Sequence, residues 1–166
     1  MMLRRAVTVV VAGMALAVAA VDAAAQADDR AALSGVKELK VAFDLVDGDA
    51  KGLLNRLSVI DETRASLIKQ GVTPHFVVTF RGPATRLVQT DMTKVKPEER
   101  EVAAKIAATL QEMSKAPGVN AIEQCSVAIR QQETRAEDVL PVITVVGNGW
   151  ISLMAYQSRG YAYIRP

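Results

Sequence analysis

Apolar positions in this chain alternate between two rhythms, and the switches between them outline the fold. Lys40 to Val46 (KVAFDLV) is a short run with β-branched and aromatic members, which predicts a strand. The stretch DGDAKG then turns the chain, with Asp49 placed to cap the next helix. From Ala50 to Lys69, Leu53, Leu54, Leu57, Ile60 and Leu67 recur at helical spacing, and Gly71 closes that helix. His75 to Phe80 (HFVVTF) predicts a second strand, broken by Gly82-Pro83. Ala84 to Asp91 reads as a short helix or a loop.

The stretch KPEEREVAAKIAATLQEMSKAPG predicts an amphipathic helix. Pro97 lies near its first turn, Glu98 and Glu99 sit at its positive end, and Ala116-Pro117-Gly118 stops it. Asn120 to Cys125 predicts a third strand and Ser126 to Gln132 a short helix. TRAEDVLP connects onward to a fourth strand, Val142 to Val146 (VITVV). Asn148-Gly149 precedes a helix over Trp150 to Ser158, Gly160 ends it, and Tyr161 to Ile164 forms a short last strand. Strands alternating with helices define a three-layer α/β/α sandwich around a mostly parallel sheet of about five strands.

The first 27 residues stand apart from this pattern. Arg4 and Arg5 precede an apolar stretch from Ala6 to Val21, and A-x-A patterns follow at Ala23-Ala24-Ala25 and Ala25-Gln26-Ala27. That order predicts a signal peptide, 1–27, with one domain over 28–166. The expected location is the periplasm, with no membrane attachment after cleavage. A domain of this size buries a core without disulfides, as it must with a single cysteine. The whole chain carries a formal +2, and loss of Arg4, Arg5 and Asp22 leaves about +1. No electrostatic footprint for nucleic acid results. With one histidine (His75) and no CxxC, HExxH or GxGxxG motif, no metal or cofactor is expected.

Candidate chemistry comes from the strand ends, because open parallel sheets collect ligands outside the carboxyl ends of their strands. Those ends deliver Asp47, Gly48 and Asp49; then Thr79, Arg81 and Gly82; then Cys125; then Gly147, Asn148 and Gly149. Cys125 sits where a helix begins, and unpaired N–H groups at a helix start favour a thiolate. Arg81, or Arg130 one turn along, is placed to add positive charge. Cysteine is equally among the most buried residue types, so position alone leaves a reactive thiol and a core thiol open. Asp47 and Asp49 are read as turn and capping residues before an acid/base pair. Trp150, Leu153 and Met154 are read first as core or subunit-contact residues, with Trp150 also placed to wall the cysteine pocket. Asn55, polar within the first helix's apolar stripe, is read as a partner for a strand-end loop.

The segments QCSVAIRQQ, EDVLPVITVVGNGWISLMAYQSRGYAYI, KVAFDLVDGD, LLNRL and VVTFRGPAT resemble the DsrE/DsrF family of sulfur-handling proteins across roughly Lys40 to Pro166. The resemblance implies a compact α/β subunit that assembles into homo-oligomers. It also implies a persulfide on Cys125, passed between sulfur donor and acceptor proteins or small sulfane-sulfur compounds. The expected activity is that of a carrier, at most a sulfurtransferase, with Arg81, Gly82, Ser126, Asn148 and Gly149 lining the ligand site. An export signal departs from the cytoplasmic relay members and puts their usual partners aside. Two other readings stand beside this one. The chain is alternatively a noncovalent small-ligand or protein-binding oligomeric module, or an oligomer whose lone thiols pair between subunits or stay inert.

Overall fold

The side chains of a strand point alternately to opposite faces, and here the two faces differ in chemistry. A computed structural model describes residues 28–166; the expected signal peptide lies outside the described residues. Strand β1 (Glu38–Leu45) sends Val41, Phe43 and Leu45 into the main apolar core, and β2 (Thr73–Phe80) sends Phe76, Val78 and Phe80. Helix α1 (Ala50–Lys69) meets them with Leu53, Leu57, Ile60 and Leu67, the positions its spacing marks. Helix α2 (Arg100–Met113) packs beside α1 and adds Ala103, Ile106, Leu110 and Met113. Burying a large aliphatic or aromatic side chain contributes about 1.5–3 kcal/mol, so this layer carries most of the stability.

All five strands are parallel, in the order β4-β3-β2-β1-β5, where β3 is Val119–Cys125, β4 Thr144–Val146 and β5 Ala162–Ile164. From β1 to β4 the chain steps across the sheet in one direction. It then returns over the whole sheet to place β5 beside β1. Right-handed crossovers put the returning helix on the face opposite α1 and α2. That helix, α4 (Gly149–Ser158), packs across β1, β2 and β3. The sandwich expected from the sequence is therefore present.

Several boundaries differ from the sequence reading. Gly82–Val88 is a 3₁₀ helix that closes over the core with Ala84, Leu87 and Val88. A single 3₁₀ turn, Pro97–Glu99, precedes α2, as a proline at the first position allows. The fourth strand pairs only from Thr144, not Val142. Its predecessors sit in a turn, where Ile143 is spent on the core. Asn55 faces solvent instead of reaching a loop.

Candidate functional site

The face beneath α4 is narrow and polar. Asp44, Thr79 and Glu123 occupy matching positions on β1, β2 and β3, forming a row straight across the sheet. All three are buried, Asp44 completely. A buried carboxylate persists only when hydrogen bonds or a counter-ion replace its hydration. Arg81, just past β2, supplies both to Asp44: its Nε lies 2.8 Å from one carboxylate oxygen and a terminal nitrogen 2.5 Å from the other. The Tyr163 hydroxyl, from β5, donates to the same carboxylate at 2.7 Å. Glu123 is held differently. Ser152 and Tyr156 of α4 both donate hydroxyl hydrogens to it, Tyr156 at 3.0 Å. The returning helix is thus pinned to the central sheet by charge-assisted bonds.

Cys125 ends β3 on this same face, two residues beyond Glu123, and is only 3% exposed. Its Sγ accepts a hydrogen bond of 3.1 Å from the backbone N–H of Gly149, the first residue of α4. The short helix α3 (Ser126–Gln131) begins directly after the cysteine. The amide that reaches the sulfur, however, comes from α4 and not from α3. Asn148 caps α4 by accepting from the Trp150 N–H at 3.0 Å, which aims the Gly149 N–H toward the sulfur. Gly149 is a glycine for want of room. A Cβ there would lie 2.7 Å from Arg81 Cδ and 3.0 Å from Cys125 Cβ.

A cleft of about 390 Å³ opens beside Cys125. Arg81, Gly82, Asn148, Trp150 and Arg165 line it along with Cys125. Gly82 turns the chain with φ +51°, in the left-handed region that favours glycine, and so brings Arg81 under the cleft. The five ligand-site residues expected from sequence divide. Gly82 and Asn148 line the cleft as expected, and Gly149 touches the sulfur. Ser126 does not line it and instead accepts from Arg130 at 3.2 Å. Arg81 lines the cleft as well, with its Nε and one terminal nitrogen on Asp44. Its guanidinium also lies 5.4 Å from the Trp150 ring centroid. Trp150 is 62% exposed and Met154 is exposed too, which removes both from the core; Leu153 alone of that trio is buried.

Asp47 pairs with Arg56 at 2.6 Å and Asp49 caps α1 by accepting from the Gly52 N–H. His75 meets Glu38 near the opposite end of the sheet. Among the described residues no group of three or more His, Cys, Asp or Glu side chains is placed to hold a metal ion. None of their helices is long and apolar enough to cross a membrane.

Sequence reasoning missed Asp44, Glu123, Tyr163 and Arg165. The first two carry a signal, since a carboxylate inside an apolar strand run demands a partner. Burial, and after it the adjacent Glu123 carboxylate, pushes the Tyr156 hydroxyl up to about 12. Burial and the bond to Asp44 raise Tyr163 as well. A tyrosine that holds its proton more tightly when folded contributes its full stabilisation below pH 10 and loses it as pH rises toward about 12. In an alkaline absorbance titration of the folded protein, a phenolate step near pH 12 is expected. It should vanish in Tyr156→Phe.

The fold and site define an α/β protein whose one cysteine lies at the carboxyl edge of a parallel sheet, beneath a helix start and beside a cleft bearing two arginines. No family model matches the chain. An uncharacterized protein of Aquifex aeolicus (strain VF5) is 29% identical over 126 residues, which cover 76% of this chain and 55% of that protein. The chain therefore spans about half the length of that curated relative. A solved structure of a protein of unknown function from Methanobacterium thermoautotrophicum is similar with a TM-score of 0.60 at 22% identity. The similarity covers 78% of this chain and 99% of that one, and establishes the fold alone.

Proposed function

We propose that this protein is an exported sulfur-binding or sulfur-relay protein that carries a persulfide on Cys125. The observation supporting this most is the Gly149 N–H directed at Sγ in a cleft lined by arginines. A thiolate is the nucleophile that attacks sulfane sulfur, and the Gly149 N–H is placed to hydrogen-bond it. Attack forms a bond from Sγ to the outer sulfur and expels the donor's leaving group with the bonding electrons. An acceptor thiolate then takes the outer sulfur by the same displacement and frees Cys125. The resemblance to the DsrE/DsrF family points the same way.

Intact mass after exposure to polysulfide tests the proposal. A gain of sulfur is expected on the native protein, reversed by a reductant and absent from Cys125→Ala. A reduced, folded protein that gains nothing would sink it. The deep burial of Sγ favours a second reading, in which the cleft binds a small ligand without covalent chemistry. Under that reading Cys125→Ser keeps its ligand, whereas a carrier loses its function.

Self-association belongs to the same proposal. A continuous exposed apolar helix face is normally covered by a partner. The outer face of α4 exposes Trp150, Ile151 and Met154, continued by Tyr163 and Ile164 of β5. Sedimentation should give a mass above a single chain, reduced to one chain by Ile151→Glu with Met154→Glu.

A further inference from the structure

The charges around the cleft point to the kind of molecule that enters it. Its lining includes two guanidinium groups, Arg81 and Arg165, and two carboxamides, Gln131 and Asn148, but no carboxylate. Asp44, the carboxylate that pairs with Arg81, is completely buried and already accepts three hydrogen bonds. The two cations differ in what they have left to give. Arg81 spends two nitrogens on Asp44 and lies against Trp150. Arg165 directly follows β5 and enters no ion pair among the described residues. It is exposed, so a ligand can meet it without displacing a partner.

Size and depth narrow the choice. A volume of about 390 Å³ suits a small molecule. With Cys125 only 3% exposed, a thiol on the surface of a folded partner does not reach its Sγ, so the sulfur must arrive on something that fits inside. We propose that the donor is a small anionic sulfane compound of the thiosulfonate type, inorganic thiosulfate being the simplest, and that Arg165 holds its oxyanion end. This rests on Cys125 being the sulfur acceptor. Cys125 releases its proton to solvent, and the thiolate attacks the outer sulfur of thiosulfate. The new bond joins Sγ to that sulfur. The old sulfur–sulfur bond breaks with its electron pair going to the departing sulfite, leaving a persulfide anion on the protein. Atoms, charge and electrons balance with no added oxidant or reductant. Arg165 offsets the repulsion between an anionic donor and an anionic thiolate, and its planar fork suits a pair of oxyanion oxygens.

The experiment compares the full chain with Arg165→Gln, a change at an exposed position, with the variant's fold checked by circular dichroism. Two readouts are taken from each: the rate of Cys125 alkylation by neutral iodoacetamide, and the rate of sulfur gain from thiosulfate at low salt. The expected result is sulfur gain from thiosulfate slowed about tenfold more than iodoacetamide alkylation in the variant, the loss of one charge-assisted contact beyond any change in the thiol itself. Added salt should narrow the gap, since the contact is exposed. Equal thiosulfate rates in the two proteins would overturn the role of Arg165. Sulfur gain from a protein-borne persulfide but none from thiosulfate would overturn the donor class while leaving the carrier reading in place. A folded protein whose Cys125 resists iodoacetamide and every sulfur donor would overturn the carrier reading, and this inference with it.

Discussion

Arg81→Ala should lower the unfolding free energy by about 3–5 kcal/mol, because it leaves the Asp44 carboxylate buried without its counter-ion. Asp44 is completely enclosed by the sheet and α4, and water cannot replace the guanidinium there without opening that layer. The Tyr163 hydroxyl remains as a single donor, which does not balance a full charge. Denaturant unfolding gives the measurement, and the midpoint should fall steeply at an unchanged slope. Removing both charges together, as Asp44→Asn with Arg81→Gln, should cost less than removing the arginine alone. A single arginine loss that proves harmless would mean that the pair does not organise this face.

This pair also marks the limit of what the sequence reveals. Alternation within KVAFDLV and HFVVTF, and helical spacing from Leu53 to Leu67, are local properties, so the strands and α1 were legible from neighbours alone. Cys125 at a strand end, with Asn148 and Gly149 at the next, was legible from the parallel topology. The engagement of Arg81 was not. It depends on the register that sets Asp44 beside Thr79, two positions before Arg81. Glu123 likewise finds Ser152 and Tyr156 only because α4 returns across the whole sheet. The last strand brings Arg165 to the cleft from the far edge, and no local pattern announces that. Long-range partners of buried charges were the hidden part, although the lone carboxylates in KVAFDLV and NAIEQC already required that such partners exist.

Gly149→Ala should have the larger effect on chemistry. The added methyl meets Arg81 Cδ at 2.7 Å, closer than packed side chains come, and crowds Cys125 Cβ at 3.0 Å, while Arg81 is held in place by Asp44. Overpacking of this kind costs about 1–3 kcal/mol. The start of α4 must shift, which draws the Gly149 N–H away from Sγ. Loss of one hydrogen bond to a charged sulfur corresponds to about tenfold slower sulfur gain at Cys125. Stability and sulfur uptake, measured on the same sample, separate the two effects. A variant that is destabilised yet takes up sulfur at the native rate would show that the amide contributes nothing to the thiolate.

These effects share one arrangement. The sheet presents Cys125 at its carboxyl edge, Glu123 pins α4 over it, and the start of α4 directs an N–H to the sulfur. The most direct measurement is peptide mapping of the folded, reduced protein after incubation with polysulfide carrying radioactive sulfur. The proposed role predicts label on the peptide containing Cys125, released by an acceptor thiol and by reductant. No label on that peptide, in a protein whose thiol is free and whose fold is intact, would contradict it.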